Sequence, residues 1–184
     1  MRIGTIMALS LGLSALCVMA LGLAGRQGGA YPVASGAALS APALANDAAD
    51  VVPDYLAVIY DAFGRTEEAE IYDTLAQVAG GDALVTLYLE RMGAMAGVDY
   101  EPDQTVFEME MLDLDARETD GGVWMDATWH VMGIVGHGGH SHVRDNTYAA
   151  ELEMTPTDGA WRITRFSLTD AERVTADAGG ASGL

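Results

Sequence analysis

Three of the four histidines in this chain sit in one short stretch, GHGGHSH at residues 136–142: His137, His140 and His142. The fourth, His130, lies seven residues before His137. Neutral imidazole nitrogen is a good ligand for zinc, copper and nickel, and the same ring serves as a general base near neutral pH. Which chemistry is open depends on whether the rings can converge, and therefore on the turn between them. Gly138-Gly139 suits a two-residue hairpin turn, because glycine tolerates the positive φ such a turn needs. That turn sets His137 opposite His140 and Val135 opposite His142. It continues with Gly133–Arg144, Val131–Asn146, Trp129–Tyr148, Ala127–Ala150, Met125–Leu152 and Val123–Met154. The register comes from the turn alone, yet apolar residues meet apolar residues at the far end; a slip by one residue would destroy the match.

On this hairpin His137, His140 and His142 share one face, with directly opposed β-carbons about 4.5–5.5 Å apart. They form a candidate site for zinc, copper or nickel. His130 falls opposite Thr147 on the other face and is left out. Trp129, Arg144, Asn146 and Tyr148 continue the histidine face and form a candidate pocket lining that could grip an anionic ligand; the plainer reading of Arg144 is an ion pair with one of the many acids. A catalytic relay is hard to build. Ser141 lies between two of the histidines but points to the opposite face, and a serine–histidine pair must converge. Asp145 has the wrong parity to assist His137 or His142. No catalytic residue is assigned, and the pattern leans against an enzyme. Met109 and Met111 form a soft M-x-M pair, better suited to filling core space than to holding copper(I).

The elements that must hold these residues are legible in outline. Asp54 caps a helix over 55–63 that Gly64 ends. Thr66 caps a second helix with acids in its first turn, and Asp82 caps a third, ALVTLYLERMGAM. After Pro102 the apolar period changes from helical spacing to two. In TVFEMEMLDLDAR the phase flips between Met111 and Leu112, which predicts a bulge that bends the strand. The hairpin follows, then Asp158-Gly159 as a turn and a last strand over 160–168. Three helices followed by a curved antiparallel sheet of about four strands is an α+β layout.

The bulk numbers narrow the partners. Of 184 residues 27 are acidic and 9 basic, all nine of them arginine, for a net charge of −18. A phosphate backbone needs a basic surface, so nucleic acid is not expected as a partner. Residues 1–25 carry Arg2 and then an uncharged apolar run, long enough to span a bilayer. Both a cleaved signal peptide, cut after Ala24 or Ala45, and an uncleaved signal-anchor remain open. Either reading puts the rest of the chain outside the cytoplasm, periplasmic and anchored to the inner membrane or secreted. The lone cysteine, Cys17, lies in that segment, so the exported part has no disulfide. Residues 26–52, rich in Ala, Gly, Ser and Pro, read as a flexible linker. The folded domain is expected over 53–175 and a disordered tail over 176–184.

The helices followed by long bent strands, closing on DGAWRITRFSL, resemble the nuclear transport factor two-like superfamily, which includes SnoaL-like proteins and shares a cystatin-like α+β layout. The resemblance implies a curved sheet wrapped around helices to form a cone with an internal pocket. YDAFGRTEEAEIYDTLA, GDALVTLYLE and GHGGHSHVRDNTYAA are similar to a group of exported bacterial proteins with no established activity. The superfamily hosts enzymes, binding proteins and assembly modules, so the resemblance does not decide function. Three expectations follow: a membrane-tethered domain binding a divalent transition metal for metal handling; an interaction module of an envelope protein complex; or a SnoaL-like pocket enzyme or small-molecule carrier.

Overall fold

The computed structural model describes residues 39–97, 103–137 and 140–173, with side chains described except at 103–104, 135–137 and 140–142. Among these residues four helices precede four strands: α1 (Ala41–Asn46), α2 (Ala48–Phe63), α3 (Glu68–Leu75), α4 (Gly81–Ala96), β1 (Asp103–Thr119), β2 (Gly122–His137), β3 (His140–Thr157) and β4 (Ala160–Arg173). The strands form one antiparallel sheet in the order β1-β2-β3-β4. The helices pack on it, so the domain is α+β.

The β2–β3 register is the one the glycine turn implied, from Val123–Met154 through Trp129–Tyr148 to Val135–His142 and His137–His140. Gly138 and Gly139 themselves lie outside the described residues. β1 bulges between Met111 and Asp113, where the apolar phase flips, and a second bulge falls between Val106 and Glu108. Near that second bulge β1 presses so close to Gly133 that an added β-carbon would lie 2.8 Å from the Thr105 carbonyl oxygen. Asp158 and Gly159 both take positive φ, 53° and 81°, the geometry of a tight hairpin turn. β4 runs to Arg173, past the expected end at 168, because it continues to pair with β3 up to Asn146–Arg173.

The linker expected over 26–52 is corrected from residue 41 onward, where the chain is already helical. Ser40 caps α1 through its hydroxyl, and Leu44 is fully buried. α2 starts at Ala48 rather than after Asp54 and runs through Pro53. Proline inside a helix removes a backbone bond and is costly. Here the cost is offset by one buried stripe, Ala48, Val52, Tyr55, Leu56, Ile59 and Ala62, at the spacing of a single helix face. Residues 26–38 and 176–184 lie outside the described residues, as does the apolar run 1–25. No helix among the described residues is long and apolar enough to cross a membrane.

Two contacts dock helices onto sheet. The loop after α3 pairs with β4: Ile163 N–H donates to the Val78 carbonyl and Gly80 N–H to that of Ile163, each at 2.9 Å. The Tyr55 hydroxyl donates to the Trp161 carbonyl at 2.9 Å, and the Trp161 indole N–H to that of Leu39, also at 2.9 Å. The core between the layers holds Leu56, Ile71, Leu75 and Leu87 against Val123, Met125, Leu152, Met154 and Ile163. Met109 and Met111 pack at its margin. The acids of EMEMLDLDARETD lie exposed on the strand's outward side.

Candidate functional site

Where the helices diverge from the sheet, a cavity of about 370 Å³ remains open. The end of α2 supplies Tyr60 and Phe63, α4 supplies Glu90, Arg91 and Ala94, and the sheet supplies Trp129, Arg144, Tyr148, Phe166 and Leu168. Alternation along β2 and β3 is the reason these sheet residues meet. Trp129 is directly opposite Tyr148, and Arg144 lies four residues before Tyr148 on the same face.

The Trp129 and Tyr148 rings stack with centroids 5.8 Å apart and planes at 27°. The Trp129 indole N–H donates to the Tyr60 hydroxyl at 3.0 Å, and the Asn146 amide donates to the Tyr148 hydroxyl at 2.8 Å. Each phenol therefore accepts one bond and keeps its own hydrogen to donate. Burial pushes the Tyr60 pKa well above its ordinary value, the bond from Trp129 opposing and the nearby Tyr148 and Glu90 adding to the rise. Tyr60 thus stays a neutral donor at any physiological pH. Glu90 is exposed on its solvent side and also lines the cavity, and desolvation raises its pKa. Arg91 comes off α4 and donates to the Arg65 carbonyl at 2.8 Å. Arg65 itself pairs with Asp61 at 2.8 Å and Glu70 at 3.5 Å on the surface.

Trp129, Arg144 and Tyr148 stand at the cavity, and Asn146, named with them from the sequence, donates to the Tyr148 hydroxyl. Tyr60, Glu90, Arg91 and Phe166 escape the sequence reading. Tyr60 had a weak signal, four residues after Leu56 on an apolar helix; Glu90 and Arg91 had none beyond being charged within one.

The histidine cluster is placed only by its backbone. His137 pairs with His140, and His142 occupies the next position on the same face, continuing the line of Arg144, Asn146 and Tyr148. The three side chains lie outside the described residues. Among the described residues no group of three or more His, Cys, Asp or Glu stands at metal-holding distance. His130 is on the opposite face, opposite Thr147 as expected, and hydrogen-bonds Asp145 through Nε2. The sequence reading missed that pair, although Asp145 lies opposite Met132 and is therefore a diagonal neighbour of His130.

The fold and cavity define an α+β domain with helices on one face of a four-stranded antiparallel sheet and a pocket between the layers. No family model and no curated protein matches the chain. Among solved structures it is similar to the intermembrane space region of the chloroplast protein ARC6, with a TM-score of 0.49 and 18% identity, over 67% of this chain and 95% of that one.

Proposed function

We propose that this is an exported, envelope-tethered binding domain whose cavity takes a small amphipathic organic molecule bearing an anionic or hydrogen-bond-accepting end. One observation carries the reading: an open cavity of about 370 Å³ has an aromatic stack on one side and several donors converging on it. The volume falls in the usual range for small-molecule sites, which are largely apolar with a few placed polar groups. Tyr148 and Phe166 offer ring faces to an apolar body, and Trp129 backs the Tyr148 ring by stacking on it. Arg144, Arg91 and the two phenol hydroxyls offer donors to a carboxylate, sulfonate or carbonyl. Among the described lining residues Glu90 is the one acid, and burial raises its pKa. The described lining is aromatic, aliphatic and hydrogen-bond-donating, a set suited to holding a ligand by carriage or sensing. The nuclear transport factor two-like resemblance is consistent with a pocket of this kind, and the Arg2-led apolar run supports export. Fluorescence titration with 1-anilinonaphthalene-8-sulfonate tests the reading. Saturable binding should weaken about tenfold in Arg144→Met, the loss expected for one charge-assisted hydrogen bond. Equal affinity in that variant would remove Arg144 from the site.

A second reading is supported by the backbone register alone. His137 and His140 are directly opposed partners, and His142 is next on their face, an arrangement suited to zinc, copper or nickel at the hairpin tip. Titration calorimetry with each metal tests it; affinity unchanged when all three histidines become alanine would end it.

A further inference from the structure

Between α3 and α4 lies a second, open cleft lined by Glu68, Ala69, Tyr72, Asp73 and Tyr88. It shares no lining residue with the cavity. Tyr72 and Tyr88 meet edge to face, with centroids 5.7 Å apart and planes at 81°. Such a pair leaves one ring face open beside the other ring's edge, and an aromatic face attracts a cation. Two carboxylates flank the rings. Glu68 accepts a hydrogen bond from the Tyr88 hydroxyl, which fixes that ring and keeps the carboxylate beside it. Asp73 follows Tyr72 on the same helix.

The cleft continues into exposed apolar surface. Val85 precedes Tyr88 by three residues on α4 and Leu89 by four, the spacings that make neighbours on a helix. Val85 is 55% exposed, Leu89 60% and Tyr72 46%. Elsewhere α4 behaves as an ordinary packed helix, burying Ala83, Leu87 and Arg91. An aromatic, carboxylate-flanked cleft that runs onto two bare aliphatic side chains is complementary to one kind of surface: a cation with apolar residues one helical turn away.

We infer that the α3–α4 face docks a basic amphipathic segment of a partner protein, with a lysine or arginine of that segment held between Tyr72, Tyr88, Glu68 and Asp73 and its apolar residues on Val85 and Leu89. The inference does not depend on the cavity's ligand. The chain has no lysine of its own, so a lysine side chain in the cleft comes from another molecule.

The test uses the full chain and a fluorescein-labelled synthetic helical peptide with lysine on one face and leucine on the other, followed by anisotropy. Tyr72→Ala and the Glu68→Gln/Asp73→Asn pair should each weaken binding about fivefold, the lower range of a desolvated cation–π contact. Tyr72→Phe, which keeps the ring, should bind as the parent does. Asp113→Asn/Asp115→Asn, which removes the same charge from β1, should also leave affinity unchanged. Carbodiimide coupling should link peptide lysines to Glu68 or Asp73. The inference is overturned if the parent shows no saturable binding, if the β1 pair weakens binding as much as the cleft pair, or if the coupled carboxylates map outside the cleft.

Discussion

The two ends of the β2–β3 hairpin share one register and one alternation but not one environment. At the far end Val123–Met154, Met125–Leu152 and Ala127–Ala150 are fully buried pairs beneath the helices. Toward the tip the same face presents Val131–Asn146 and Gly133–Arg144, with Asn146 and Arg144 only partly covered. Trp129–Tyr148 marks the boundary. Trp129 is 2% exposed and belongs to the core, while its stacked partner faces the cavity. The strand pair thus does two jobs: one end supplies cohesion, and the less covered end supplies a lining.

Substitutions should separate those halves. The largest effect belongs to the covered end. Leu152→Ala removes a fully buried side chain and should cost about 2–5 kcal/mol, read by urea denaturation; a loss no larger than that of an exposed position would mean the covered end is not the core. Gly133→Ala comes next. Its new β-carbon meets the Thr105 backbone, so β1 must shift, at about 1–3 kcal/mol. Unchanged stability there would mean that β1 does not approach the tip half as closely as described. Trp129→Phe keeps one aromatic ring but removes the rest of the buried indole and its bond to Tyr60, and should cost at least about 1 kcal/mol.

The smallest effect is a dependence on pH. Burial raises the Glu90 pKa in the folded state. As pH rises through the ordinary carboxylate range, the unfolded chain gives up this proton first, so stability falls until pH passes the raised folded value and stays lowered above it. Glu90→Gln should therefore leave stability unchanged in acid and raise it slightly at neutral pH. A gain confined to acid would reverse the sign.

What the sequence revealed follows the same division. The hairpin register was legible because both strands alternate with period two and a glycine pair fixes their phase. The β1 bulge was legible because Met111-Leu112 breaks that period. α1 and the first turns of α2 were not. Alanine-rich sequence around Leu44 and Val52 has no polar alternation to mark a face, and Asp54 reads as the cap of a helix that begins after it. Three sheet residues of the cavity could be named from parity alone. Its helical wall could not, because Tyr60, Glu90 and Arg91 reach it only through long-range docking, such as the Ile163–Val78 and Tyr55–Trp161 bonds.

Filling the cavity without deleting a contact is the most direct test that it is a binding site. Ala94 lines the cavity from an exposed position on α4, where a larger side chain is tolerated by the helix. The measurement is titration of 1-anilinonaphthalene-8-sulfonate into the parent and into Ala94→Trp, with near-ultraviolet circular dichroism confirming the same packing. A ligand cavity requires one saturable site in the parent and affinity at least about tenfold weaker, 1.4 kcal/mol, in the variant. No saturable binding, or equal affinity in both proteins, would contradict it.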